Sequence, residues 1–319
     1  MYLKTPKFWK EDHIISYLLF PISIIYYFFF KTFNLYKKEK SIKIPIICVG
    51  NINIGGTGKT PISIKIRQLL KNDFSKIFIL LRGYGGILNG PVLVNKNHRF
   101  TDVGDEAIIH YKYGTTCISK KKFKGGRFCE KNGSDLVILD DGLQNKELKK
   151  DLSILVVDSN YLFGNAKLFP AGPLRETISS ALKKVDAIIQ IGMEKKIKYF
   201  KNNKVFYAKR EIVSNKMIKK DLFAFSGLGN NDNFFELLRK DFNLVNYKSF
   251  PDHHVYKKNE LKQILSVANE NNLSVVCTYK DYIKIPETFR KSINCVFLDI
   301  KFKKEKEFKN FLISQLKKR

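Results

Sequence analysis

Gly50-Asn51-Ile52-Asn53-Ile54-Gly55-Gly56-Thr57-Gly58-Lys59-Thr60-Pro61 lies between an apolar run and a helical pattern. In that setting it reads as a phosphate-binding loop. Glycines let backbone N–H groups close on phosphate oxygens, and a helix N-terminus adds positive partial charge. Asn53, Ile54, Gly55, Gly56, Thr57, Gly58, Lys59 and Thr60 are expected around ATP, with Lys59 on the β- and γ-phosphates and the Thr60 hydroxyl on Mg²⁺. Pro61 suits a first helical turn, where its missing N–H is not needed. The common spacing wants glycine at 53; Asn53 stands there, and Gly55 and Gly56 resemble the variant loop G-G-x-G-K-T. A Gly-rich turn carrying a chance Lys-Thr is the bland alternative. Leu136-Val137-Ile138-Leu139-Asp140-Asp141-Gly142 supplies the acid that such a loop needs at the end of a neighbouring strand. By itself it would be a strand closing in an Asp-Gly turn.

These groups need rigid carriers. Apolar runs at Ile44–Val49, Ile77–Leu81, Leu136–Leu139, Ile154–Val157 and Ala187–Ile191 read as buried strands. Helical patterns lie between several of them, at Pro61–Leu70, Asp105–Tyr113 and Leu174–Lys183. Strand–helix alternation predicts an α/β fold: a P-loop NTPase-like, mostly parallel sheet with helices on both faces and ligands at the strand-to-helix edge. A smaller α/β unit is expected over 221–319. It has strands at Leu222–Phe225, Ser274–Thr278 and Cys295–Asp299 and a helix at Asn233–Phe242. A further helix carries Leu261, Ile264, Leu265 and Ala268, and a last one Phe308 to Leu316. The kinase core is expected over 37–215, with Glu194–Asn203 and Ser214–Lys220 as linker regions.

The chain has 319 residues, 44% of them hydrophobic, which excludes a largely disordered protein. Its five cysteines are dispersed and form no C-x-x-C pair, which argues against a disulfide framework and a zinc ribbon. The net charge of +28 points to an anionic partner: nucleic acid, an acidic membrane or a phosphorylated substrate. A Lys-, Asn- and Ile-rich bias throughout the chain would explain part of that excess. No helix-turn-helix, RNP or zinc pattern is present, so nucleic acid is not expected as partner. The cluster of Lys120-Lys121-Lys122 and Lys124 reads as a solvated face, with an anionic lipid surface as its second reading.

Ile14 to Phe30 contains no charge and includes Pro21. Residues 1–36 are expected to form a membrane-anchoring region, either an embedded non-spanning helix or a single short span; a buried core helix is the third reading. Lysines on both flanks give no orientation.

At this point the chain resembles a known family, the tetraacyldisaccharide 4′-kinases of lipid A biosynthesis. The phosphate loop is followed, in the family's order, by Arg82-Gly83-Tyr84-Gly85-Gly86, Gly104-Asp105-Glu106, Asp140-Asp141-Gly142-Leu143-Gln144 and Phe163-Gly164-Asn165. Pro170-Ala171-Gly172-Pro173-Leu174-Arg175-Glu176, Asp252-His253 and Thr278 with Lys280-Asp281 complete the series. Leu81, Ala107 and Tyr279 stand where the family usually has Ser, Pro and Glu.

The resemblance implies transfer of the ATP γ-phosphate to the 4′-hydroxyl of a tetraacylated glucosamine disaccharide 1-phosphate, at the cytoplasmic face of a bacterial inner membrane. It implies Asp105 as the carboxylate that takes the hydroxyl proton, with His253 orienting it or sharing the proton and Lys59 on the phosphates. Thr60, Glu106, Asp140 and Asp141 are the Mg²⁺-side candidates; Tyr84, Gln144 and Arg175 are candidates for the acceptor. The acylated disaccharide lipid and the anionic membrane surface are the expected partners, with no obligate protein partner. A membrane-associated P-loop ATPase of the partitioning or metal-insertion type is the competing reading. Such loops usually carry Lys before Gly-Gly-x-Gly-Lys, where this chain has Ile54.

Overall fold

A computed structural model describes residues 6–35, 38–214 and 220–318. The central element is one twelve-stranded sheet. Its strands, in chain order, are β1 (Ile46–Gly50), β2 (Ile77–Leu81), β3 (Val92–Leu93), β4 (Thr116–Ile118), β5 (Leu136–Asp140) and β6 (Leu152–Asp158). They continue with β7 (Ala187–Ile191), β8 (Lys204–Ser214), β9 (Asp221–Ser226), β10 (Asn243–Ser249), β11 (Ser274–Thr278) and β12 (Asn294–Phe302). The spatial order is β10-β9-β11-β12-β8-β7-β6-β1-β5-β2-β4-β3. Pairing is parallel throughout except at β3–β4 and β8–β12. Two parallel blocks are thus joined by one antiparallel seam, in which Phe302 pairs with Ala208 and Val296 with Ser214.

The helices are α1 (Ile14–Leu18), α2 (Phe20–Leu35), α3 (Lys59–Leu70), α4 (Phe100–Val103), α5 (Asp105–Tyr113) and α6 (Lys122–Lys131). After them come α7 (Ile178–Leu182), α8 (Asn231–Leu238), α9 (Lys258–Glu270), α10 (Tyr279–Tyr282), α11 (Glu287–Arg290) and α12 (Glu305–Leu316). On one face of the first block, Ile62, Ile66 and Leu70 of α3 pack with β-strand residues such as Ile47, Ile138 and Ile189. Cys129 of α6 and Ala181 of α7 cover the other face. Each such buried Ile or Leu side chain stabilises the fold by about 1.5–3 kcal/mol. The last helix returns to the first block: Phe308, Leu312 and Leu316 of α12 join Phe206 and Ile189 there, together with Ile300 and Phe302 of β12. Two further cores cover the faces of the second block. The boundary segment 215–219, part of an expected linker, lies outside the described residues.

Local chemistry explains where the expected helices were too long. Leu174 bridges Asn53 and Leu168, and Arg175 N–H donates to the Ile52 carbonyl at 2.8 Å, so this stretch is loop. Helix α7 begins only after Thr177, whose hydroxyl accepts from Ser180 N at 3.2 Å. The strands β8 and β10 were not anticipated. β10 is the sheet's edge and largely exposed, so its sequence lacks a buried apolar run.

The expectation of a membrane-spanning N-terminal helix is corrected. The apolar run divides at Leu19 into α1 and α2, and Pro21 sits in the first turn of α2, where proline is tolerated. At 16 residues α2 is about 24 Å long, short of the roughly 30 Å hydrocarbon core. Among the described residues, no helix is long and apolar enough to cross a membrane. The pair is instead inverted in its polarity. Ser16 and Ser23 are buried against the protein, whereas Ile14, Leu18, Phe28 and Phe29 are each more than 60% exposed. Asn165 Nδ2 donates to Ser16 Oγ at 3.0 Å. Ser23 Oγ donates to the Leu168 carbonyl at 2.9 Å and accepts from Ala171 N at 3.0 Å.

Candidate active site

The phosphate loop connects β1 to α3, as its sequence context requires. Gly58 has φ of 93°, and a Cβ there would fall 2.9 Å from Ile191 Cδ1, so only glycine suits the position. The first half of the loop is anchored from outside. Asn53 Nδ2 donates to the Leu162 carbonyl at 2.7 Å and Ile54 N–H to the Pro173 carbonyl at 2.8 Å. Lys59 Nζ lies 3.1 Å from Asn51 Oδ1 and 3.6 Å from Asp141 Oδ1.

The two acids after β5 face different neighbours. Asp140 is buried; its Oδ2 accepts from Thr60 Oγ1 at 3.2 Å and lies 2.8 Å from His110 Nε2. Its Oδ1 is buried with no hydrogen-bond partner. Asp141 adopts φ of 57°, a left-handed conformation that Asp tolerates better than most residues. That turn sends its carboxylate to Arg175, whose Nη1 reaches both oxygens at 3.2 Å. Burial pushes the Asp141 carboxyl up, but Lys59 and Arg175 outweigh it and bring it down to about 2. Gln144 completes this group, donating to the Asn51 carbonyl at 2.9 Å and to Glu176 at 3.3 Å.

Asp105 begins α5 after Gly104. Its Oδ2 lies 2.8 Å from His253 Nδ1, across 148 residues of sequence. His253 follows β10 in a short loop, also at positive φ (59°), and its ring lies 5.4 Å from that of Tyr84. Burial would raise the Asp105 carboxyl; Lys280 and the His253 hydrogen bond outweigh it and hold the group well below the usual carboxylate range. Burial raises Glu106, Lys280 pulls it down, and Asp140 and Asp105 push it further up. Tyr84 is 58% exposed at the mouth of this group.

Several contributors carried no signal of their own. His110 reads as an ordinary helix histidine, yet it is fully buried against Asp140. Arg210, on the unanticipated β8, donates to Asp158 Oδ2 at 2.8 Å and to the Thr57 carbonyl at 3.3 Å, bracing the phosphate loop from the seam. Asp158 also accepts from Asn233 Nδ2 at 2.8 Å, which ties α8 to the same brace. Beside Lys59 and Thr60 opens a cavity of about 180 Å³, lined on its apolar side by Ile64, Ile109, Phe234, Tyr279 and Phe297.

A parallel sheet with a glycine-rich loop, its lysine and threonine, and an acid on the adjacent strand define a P-loop protein built for nucleotide phosphates. The chain belongs to the LpxK family, tetraacyldisaccharide-1-P 4′-kinase, whose model matches residues 15–317. It is 38% identical over 304 residues to the tetraacyldisaccharide 4′-kinase of Rickettsia canadensis, covering 93% of this chain and 92% of that protein. Against the Rickettsia bellii protein of the same name it is 36% identical over 307 residues, covering 94% of each. Its fold matches the crystal structure of LpxK from Aquifex aeolicus in complex with ATP, with a TM-score of 0.76 and 26% identity, over 95% of this chain and 99% of that one. The partitioning or metal-insertion ATPase reading is not favoured by these relationships.

Proposed function

We propose that this chain is an ATP-dependent kinase that phosphorylates the 4′-hydroxyl of a tetraacylated glucosamine disaccharide 1-phosphate. One observation supports it above the others. The Asp105–His253 pair, 2.8 Å apart, abuts Lys280, which lines one cavity with Lys59 and Thr60, so a proton acceptor stands beside the cleft of the phosphate loop. Family membership supplies the acceptor's identity.

In this reading the triphosphate seats on Gly55 to Thr60 and the base enters the apolar cavity beside α3. The acceptor hydroxyl approaches Asp105. As the γ-phosphorus–oxygen bond to ADP breaks and the bond to the sugar oxygen forms, the hydroxyl proton passes to Asp105. A carboxylate held well below its usual range is a weak base. It suits a transition state with little bond to the incoming oxygen, where proton transfer comes late. His253 orients Asp105, and Lys59 offsets negative charge on the transferred group. Arg175, Gln144 and Tyr84 border the side from which the acceptor would come.

Mg²⁺ fits the residues present: Asp140 Oδ1 is a buried, unpartnered oxygen beside the Thr60 hydroxyl. No group of three or more His, Cys, Asp or Glu that could hold a metal occurs among the described residues. The remaining ligands would therefore come from phosphate and water. When bound, the ion would neutralise charge on the phosphates.

The outward apolar side chains of α1 and α2 would rest in a membrane interface without crossing it. With the net charge of +28, this supports a monotopic placement on an anionic, cytoplasm-facing surface.

The test uses detergent-solubilised protein with labelled ATP, Mg²⁺ and the disaccharide 1-phosphate. Wild type should label the lipid, and Asp105→Ala should lose at least about 100-fold in kcat. An unlabelled lipid with continued ATP hydrolysis would overturn the assignment, and an unimpaired Asp105→Ala would move the base elsewhere.

A further inference from the structure

Four side chains, the proposed base among them, close a ring. Asp105 Oδ2 is 2.8 Å from His253 Nδ1, and His253 Nε2 is 3.7 Å from Asp252 Oδ2. Asp252 Oδ1 is 3.0 Å from Lys280 Nζ, which lies 3.8 Å from Asp105 Oδ2. Three of the four come from the second parallel block, and Asp105 from the first. We infer that Lys280 is a positioning residue for phosphoryl transfer: it clamps the His253 loop through Asp252 and holds Asp105 against that loop.

The carrier of Lys280 is built for such a task. Helix α10 is a single turn, and its N-cap, Thr278, accepts from Asp281 N at 3.3 Å. Asp281 is fully buried and accepts from Tyr256 Oη at 2.8 Å, Thr278 Oγ1 at 2.7 Å and Gly227 N at 3.0 Å; Lys284 Nζ lies 3.3 Å away. A side chain leaving so well-tied a turn has few places to go. The Lys280 ammonium is only 17% exposed, lines the cavity that also holds Lys59 and Glu106, and has two carboxylates within 4 Å. An external tie helps to hold the His253 loop, because His253 itself sits at φ of 59°, in the sparsely populated left-handed region. Two carboxylates close together repel each other, and a cation between them removes that repulsion. A surface ion pair would have no reason to recruit a lysine this buried.

The inference rests on Asp105 being the base, so the same assay carries both. Lys280→Met, Lys280→Arg, Asp252→Asn and Asp105→Ala are compared with wild type in the full-length, detergent-solubilised protein, with circular dichroism and binding of a fluorescent ATP analogue as controls. Lys280→Met should lower kcat by about 30-fold or more while KM for ATP stays within about threefold. Lys280→Arg, which keeps the charge, should recover to within about fivefold of wild type. Asp252→Asn breaks the same ring without touching α10. It should reproduce the kcat loss, and it decides the matter if Lys280→Met does not fold. The Lys280→Met/Asp252→Asn double variant should be no slower than the slower single, because both act through one ring. Full activity in Lys280→Met or Asp252→Asn overturns the inference, as does a Lys280→Arg no better than Lys280→Met with KM and kcat spoiled together. An active Asp105→Ala overturns the base assignment itself, and an inactive Asp105→Ala beside a fully active Lys280→Met removes only the role of Lys280.

Discussion

Lys122 is a buried charge that its neighbours only partly compensate. Its Nζ is buried with no hydrogen-bond partner, and burial, only partly offset by Asp141 and Asp140, pushes the ammonium down to about 8 from 10.5. Between those values the unfolded chain holds more protons than the folded one, so stability rises with pH across that window by up to about 3 kcal/mol. Lys122→Met should abolish the rise: urea unfolding at pH 7.5 and pH 10 should favour the variant more at the lower pH. An unchanged pH dependence would mean that the ammonium is not desolvated. The reading of the Lys120-Lys121-Lys122 and Lys124 cluster as a solvated face therefore fails for Lys122. Lys120, Lys121 and Lys124 are exposed, and helix α6 turns Lys122 inward toward the end of β5. Other single residues were legible in sequence because their neighbours define them. Lys59 is meaningful by its glycines and Asp140 by the apolar strand before it. His110 and Arg210 lack such neighbours, and only packing shows what they touch.

At the scale of elements, the phosphate loop is the most constrained. Gly58→Ala would force an L side chain to φ of 93° and into Ile191. It should destabilise the protein by about 1–3 kcal/mol and weaken ATP binding, read by thermal unfolding with and without nucleotide. Retention of wild-type stability would show that the loop can relax. Helices α1 and α2 give the opposite case, because their apolar residues contribute little to the core. Leu18→Glu with Phe29→Glu should leave the unfolding midpoint within a few degrees of wild type. The same pair should lower binding to vesicles containing anionic lipid by about tenfold or more, since each removes apolar area from the lipid interface. Undiminished vesicle binding would reject the monotopic placement. Apolar content alone made this segment look like an anchor, but it could not show that two buried serines hold the helices flat against the 163–171 loop.

Across the whole molecule, the second block is bound to the first by the β8–β12 seam, the Asn233–Asp158 hydrogen bond and α12. Phe308 is fully buried against Phe206 and Phe302, so Phe308→Ala should cost about 3–5 kcal/mol in urea unfolding. A loss below about 1 kcal/mol would mean that α12 docks only weakly. The sequence by itself determined the parallel α/β class, the phosphate loop, the acid after β5 and the order of the family's motifs. These are local patterns, in which strand runs, glycine spacing and helix periodicity act over a few residues. Only the tertiary structure decided that one sheet runs through both blocks, that the N-terminal apolar run breaks into two short helices, and that Asp105 meets His253 and Lys280. Those outcomes depend on contacts between residues far apart in the chain, and no short-range pattern encodes which distant surfaces will bury one another.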